Sequence, residues 1–306
     1  MNRLKVLVAE NSGICFGVKR AFSLLEESTE EALKIGKRVV MLGPVIHNPR
    51  VINDYARRGV DVVDIASVPE NSVVVVRSHG VTAKTEQILQ SIENVKIIDT
   101  TCPYVQRIHK LVAKQSAEGC AILVMGDKNH SEVEGITSRI SGDFFVIHPS
   151  EFEEKEPELR DFLINHKSVF AVAQTTSRPS NFEHLLKLSR GLVRDLPDHK
   201  ILSSETICTA TLKRQDSARE MANRVDVMVV IGGKNSSNTS KLLQVVSEKN
   251  AHSFWVESTS DLTPEQLGWI KNAETVGITA GASTPDYQID EIKSFLEKLN
   301  DSPDRS

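Results

Sequence analysis

The sequence predicts an α/β protein built from three related units, each with a small, mostly parallel sheet flanked by helices. Three observations carry that prediction. Short uninterrupted Val/Ile/Leu runs alternate with helix-length stretches along the chain, the pattern of parallel strands covered on both faces. Cys15, Cys102 and Cys208 each stand between a strand-like run (RLKVLVA, VKIIDTT, KILSSETI) and a helical stretch (FGVKRAFSLLEES, PYVQRIHKLVAKQ, TATLKRQDSAREMA). A Gly-x-Lys-Asn loop then recurs at one offset: Gly126 lies 24 residues after Cys102, and Gly232 lies 24 residues after Cys208.

In chain order, strands are expected in RLKVLVA, RVVMLG, SVVVVRSHG and VKIIDTT, then AILVMG, FFVIH, SVFAVAQTT and KILSSETI, and finally VDVMVVIGG, HSFWVE and TVGITAGAS. Helices of roughly 10–18 residues separate most of them. Boundaries just before the second and third cysteines divide the chain into units 1–98, 99–203 and 204–306. The strand Leu4–Ala9 precedes Cys15 as the other runs precede their cysteines, so it is expected to complete the third unit's sheet. The tail DSPDRS is polar and expected to fray.

In parallel sheets ligands bind beyond the carboxyl ends of the strands, which puts three loops of each unit in one cleft. Unit one offers GICFG, LGPVIHNPRV and VRSHGVT. Unit two offers TTCPYV, MGDKNHSEVEG and AQTTSRPSN, and unit three TICTAT, IGGKNSSNTSK and TAGASTPDY. The cleft therefore receives three cysteines related by a pseudo-threefold axis, with His47, His130 or Ser236 and then His79, Thr175 or Ser283.

Bulk properties exclude several classes. A chain of 306 residues holds two or three domains, and 40% hydrophobic with 25% charged residues is the balance of a soluble globular protein. A net charge of −4 and 5% aromatics argue against nucleic acid or an anionic membrane as partner. No apolar run approaches the ~20 residues of a bilayer span, and MNRLKVLVAE lacks a signal peptide's apolar region. The expected location is the cytoplasm. In that reducing compartment, cysteines read as metal or catalytic ligands before disulfides. Cys120, opening the apolar run CAILVMG, reads instead as a small buried hydrophobe.

Three cysteines far apart, without Cys-x-x-Cys, match neither a zinc ribbon nor compact ferredoxin spacing. Three thiolates can hold three irons of a 4Fe-4S cluster, leaving a fourth iron open as a Lewis acid for a substrate oxygen. A three-cysteine zinc site and purely structural cysteines are the alternatives the residues leave open. The turns GGKNSSNTSK and TAGASTPD place Ser236, Ser237, Asn238 and Ser283 at helix starts. These are either anion sites or ordinary caps, and His47 and His79 across the same cleft favour a phosphate or diphosphate. No Walker or Gly-x-Gly-x-x-Gly pattern indicates a nucleotide.

NHSEVEG sets His130 and Glu132 two residues apart. A carboxyl group in a desolvated pocket can keep its proton and serve as a general acid, with Thr175 or Thr176 as relay. Glu134 is a rival, and an exposed first-turn carboxylate is the plain alternative. His109, His148, His166, His184, His199 and His252 read as surface or packing residues.

At these motifs the chain resembles the 4-hydroxy-3-methylbut-2-enyl diphosphate reductase family, which performs the last step of the methylerythritol phosphate route to isoprenoids. GICFGV, VIHNP, SHGV, DTTCP, GDKNHSEVEG, QTT, ICTAT, GGKNSSNTSKL and TAGASTPD occur in the family's order and span nearly the whole chain. Phe16 supplies the usual aromatic before the first helix, while Ile14 stands where Phe is common. The resemblance implies a trefoil of three α/β domains around a central 4Fe-4S cluster with three cysteine ligands, Cys15, Cys102 and Cys208, and one open iron. It implies that His47, His79, His130, Ser236, Ser237, Asn238 and Ser283 hold an allylic diphosphate, with Thr175 near the substrate hydroxyl and Glu132 supplying protons. Two electrons from a ferredoxin- or flavodoxin-type donor would then yield isopentenyl and dimethylallyl diphosphate. The competing classes are a three-cysteine cluster dehydratase resembling quinolinate synthase, which needs no external electrons, and an iron–sulfur sensor or carrier.

Overall fold

The computed structural model describes residues 4–46 and 48–299. β1 (Lys5–Val8) leads through Cys15 into α1 (Phe16–Lys34), followed by β2 (Val39–Leu42), α2 (Pro49–Arg57), β3 (Asp61–Val63), β4 (Val73–Val76), α3 (Ala83–Ser91) and β5 (Lys96–Asp99). From Cys102 the chain runs through α4 (Pro103–Ala117), β6 (Ala121–Met125), α5 (Ser131–Thr137), β7 (Phe144–Ile147), α6 (Glu156–Asn165), β8 (Ser168–Ala173), α7 (Pro179–Leu192) and β9 (Lys200–Ser203). From Cys208 it continues as α8 (Thr209–Ala222), β10 (Val227–Ile231), α9 (Ser237–Ser247), β11 (Ser253–Val256), α10 (Pro264–Asn272), β12 (Thr275–Ala280) and α11 (Asp286–Lys298).

These strands form three four-stranded sheets, ordered β5-β4-β2-β3, β9-β8-β6-β7 and β1-β12-β10-β11. All pairings are parallel. The three orders are equivalent position by position. In each, the strand that leads to a cysteine is an edge strand. β1 fills this place beside β12, pairing Lys5 with Thr275 through Val8 with Ile278.

The sheets bury side chains on both faces, as the continuous apolar runs require. Along β10, Val227, Val229 and Ile231 pack with Ile270, Ile289, Ile292 and Leu296 from α10 and α11. The alternate residues Met228 and Val230 pack with Ala218, Leu242 and Val246 from α8 and α9. Ile122, Val124, Phe170 and Val172 meet Ile108 and Val112 of α4 and Val133 and Ile136 of α5. The β2–β4 sheet is covered by α3 through Leu89.

One strand was absent from the sequence expectation. β3 has three residues, DVV, all at least partly exposed, and is too short and too wet to show a strand period. Among the described residues no helix is long and apolar enough to cross a membrane. The chain forms two compact units, one drawn from Met1–Lys19, His47–Val51 and Thr209–Ser306, the other from Arg20–Ile46 and Ile52–Cys208.

Candidate functional site

The three cysteines are built alike. Each immediately precedes a helix of at least 14 residues: α1 after Cys15, α4 after Cys102 and α8 after Cys208. The Cys15 carbonyl accepts the Lys19 N–H at 2.8 Å and the Cys102 carbonyl that of Gln106 at 2.9 Å, closing the first helical turns. Each cysteine N–H donates to a carbonyl on the loop after the next strand inward in its sheet: Cys15 to Ala282 (3.3 Å), Cys102 to Ser78 (2.9 Å) and Cys208 to Thr175 (3.1 Å). All three cysteines are half-buried.

Cysteine sulfur is the usual protein ligand of iron–sulfur clusters, so Cys15, Cys102 and Cys208 are the residues that could hold one. The thiols divide between the two units, Cys15 in one and Cys102 and Cys208 in the other. Among the described residues no group of three His, Cys, Asp or Glu side chains is itself assembled as a metal site. Cys120 is buried, with its sulfur 3.3 Å from Ser168 Oγ, and belongs to packing.

In the unit containing α4 to β9, Glu132 is 1% exposed. Thr175 donates to both of its carboxylate oxygens, the backbone N–H to Oε1 at 2.6 Å and the hydroxyl to Oε2 at 2.8 Å. The same Thr175 accepts the Cys208 N–H through its carbonyl, so one residue links the carboxyl group to a cysteine. Glu134, the rival candidate, is exposed. His130 caps α5, its Nδ1 accepting the Glu132 N–H at 3.1 Å. The His79 ring meets the His130 ring edge-on at 5.5 Å, and Ser78, beside it, takes the Cys102 N–H.

In the other unit, Ser236 caps α9 by accepting the Thr239 N–H at 3.2 Å. Ser237 receives a hydrogen bond from Lys241 Nζ at 3.0 Å. Asn238 is buried, and its Nδ2 has no partner among the described residues. A buried amide donor without a partner costs stability unless a ligand or water meets it. Ser283 lies beside Ala282, the acceptor of the Cys15 N–H.

Sequence reading overlooked Asn48, which is buried and donates through Nδ2 to the Ser283 carbonyl at 2.9 Å and to Gln288 Oε1 at 3.1 Å. It ties the VIHNP loop to the GAS turn. Its place in VIHNP was the only available signal. His47 lies outside the described residues.

Comparison with known proteins decides the relationship. The family model described as LytB protein matches residues 6–297. This chain belongs to the LytB family, the family of 4-hydroxy-3-methylbut-2-enyl diphosphate reductases. A curated LytB relative from Thermoanaerobacter sp. (strain X514), named 4-hydroxy-3-methylbut-2-enyl diphosphate reductase, is 38% identical over 292 residues, covering 94% of this chain and 95% of its own. A solved structure of (E)-4-hydroxy-3-methyl-but-2-enyl diphosphate reductase, described as the terminal enzyme of the non-mevalonate pathway, is 36% identical with a TM-score of 0.68, covering 96% of this chain and 99% of its own. The structure of the E-1-hydroxy-2-methyl-but-2-enyl-4-diphosphate reductase from Plasmodium falciparum is 26% identical with a TM-score of 0.82, covering 98% and 89%. The motifs that signalled LytB membership in the sequence fall at the strand ends and helix starts described above.

Proposed function

We propose that this chain reduces 4-hydroxy-3-methylbut-2-enyl diphosphate to isopentenyl and dimethylallyl diphosphate, with Cys15, Cys102 and Cys208 holding a 4Fe-4S cluster that has one open iron. The observation that carries the reading is the recurrence of one cysteine geometry three times. Each is a half-buried cysteine at a helix start whose N–H is fixed to the loop bearing a candidate substrate residue. When bound, the cluster supplies electrons one at a time and a Lewis-acidic corner. The overall change breaks one C–O bond and forms one C–H bond, consuming two electrons and two protons and releasing water.

The chain's residues supply binding and protons. Ser236, Ser237, Asn238, Ser283, His47, His79 and His130 cradle the diphosphate. The Asn238 amide, without a partner among the described residues, is the donor that supports this assignment. Glu132, through the Thr175 hydroxyl 2.8 Å away, delivers a proton to the departing oxygen so that water leaves instead of hydroxide. The second proton reaches either end of the allylic carbon skeleton, giving two isomers, and an oriented diphosphate would serve as its source. The electron donor is a ferredoxin- or flavodoxin-type protein, and the setting is the cytoplasm. The repetition of sheet order supports a division into units 1–98, 99–203 and 204–306.

The test is anaerobic purification with iron and sulfide quantification, then electron paramagnetic resonance before and after addition of the hydroxylated diphosphate. Iron and sulfide in equal amounts, and a spectrum altered by substrate, are expected. Substrate turnover without any reductant would instead assign a dehydratase. A cluster indifferent to the diphosphate would assign a sensor or carrier.

A further inference from the structure

Two arginines repeat a single arrangement around the cysteines. Arg20 lies five residues after Cys15 on α1 and donates through Nη1 to the carbonyl of Thr101 at 3.3 Å. Thr101 is buried and directly precedes Cys102. Arg214 lies six residues after Cys208 on α8 and donates through Nη2 to the carbonyl of Gly13 at 2.6 Å, two residues before Cys15. Its Nη1 also meets the Ala210 carbonyl at 3.3 Å. In both cases the helix that one cysteine starts sends a guanidinium to the backbone entering another cysteine.

The Arg214 contact is firmly built. Arg214 is 3% exposed, and Ser217 of the same helix donates to the Glu10 carbonyl, so α8 grips the β1–α1 loop twice. Gly13 holds a φ of +80°, and a Cβ there would stand 3.0 Å from Ile289 Cδ1 and 3.1 Å from the Thr284 carbonyl. The loop is thus pressed against α11 on one side and bound by Arg214 on the other. A guanidinium stays charged in burial, and its planar fork fixes direction as an ammonium cannot. Charge-assisted bonds of this kind are roughly twice as strong as neutral ones.

We propose that Arg20 and Arg214 are positioning residues for the metal-binding cysteines. They chain the Cys208 helix to the Cys15 loop and the Cys15 helix to the Cys102 loop, and bring fixed positive charge beside segments that carry thiolates. The inference rests on the cluster reading above and goes beyond it by naming what holds the cysteine loops in place.

The experiment compares the full chain, anaerobically reconstituted, as wild type, Arg20→Met, Arg214→Met and Arg214→Lys. It reads the rate of iron release to a ferrous chelator and the resonance spectrum of the reduced cluster. Circular dichroism and thermal unfolding of the iron-free forms report the fold separately. Loss of partners that orient metal ligands costs roughly 10–100-fold in metal affinity, so both Met variants should release iron faster by that order and show altered spectra. Arg214→Lys should restore part of the loss. Wild-type release rates and spectra in both Met variants overturn the proposal while leaving the cluster reading intact. A wild type that takes up no cluster overturns both. If iron-free Arg214→Met is unfolded, Arg20→Met and Arg214→Lys decide.

Discussion

Thr175 donates to both carboxylate oxygens of Glu132 inside a nearly closed environment, which gives the carboxyl group a defined neighbour through which to pass a proton. Glu132→Gln keeps shape and hydrogen-bonding capacity but cannot cycle a proton. Turnover should fall by roughly 10²–10⁴-fold while iron content and the cluster spectrum stay as in wild type, measured by steady-state kinetics beside iron analysis. Near-normal turnover would take the general-acid role away from Glu132.

Another buried residue shapes pH behaviour. His109 sits on α4, 7% exposed, and burial, reinforced by the nearby positive charge of Arg139 and opposed by Asp99, pushes its pKa from 6.5 down to about 4. The unfolded chain binds this proton below about pH 6.5, whereas the native protein binds it only near pH 4. Stability from the neutral ring is therefore complete above pH 6.5 and drains away as pH falls to about 4, by a total of order 3 kcal/mol. Urea unfolding at pH 7 and pH 5 should show a larger loss for wild type than for His109→Gln. Equal losses would remove His109 as the cause.

At the scale of elements, α5 begins with His130 as its cap, and cap and candidate ligand are one side chain. Asn is among the best capping residues and carries no imidazole, whereas Ala provides neither function. His130→Asn should leave thermal stability close to wild type while raising KM for the diphosphate. His130→Ala should do both harms, with about 1 kcal/mol lost from the helix start. If the two variants bind substrate as wild type does, His130 is a cap alone. Strand–helix alternation was legible because continuous Val/Ile runs such as VVVV in β4 are buried on every residue, and the cysteine loops because they repeat at one offset. What escaped notice lacked either signal. β3 is three residues long. Asn48 gains its meaning from Ser283 and Gln288, more than 230 residues away. Arg20 and Arg214 look in sequence like ordinary solvent-facing charges on helices, and only the backbone carbonyls they reach distinguish them.

For the molecule as a whole, β1 pairs with β12 across almost the entire chain length, a closure that local contacts cannot assist and that slows folding. Removing residues 1–9 should turn β12 into an unprotected edge. Hydrogen exchange by mass spectrometry should then accelerate in Thr275–Ala280 and leave β4 and β8 unchanged. Acceleration in the β2–β4 sheet instead would show that β1 supports a different part of the protein. The same pairing has a topological corollary. A helix carries the chain from β4 to β5 and from β8 to β9, and α11 follows β12 as its counterpart. Leu4 and Leu299 pack in one core around that helix. A gene recut in the α3–β5 or α7–β9 connection, with a short linker joining Leu299 to Leu4, should yield a circular permutant with every sheet preserved. In connectivity this polypeptide is a ring of three identical steps, and its numbering could start at any of them.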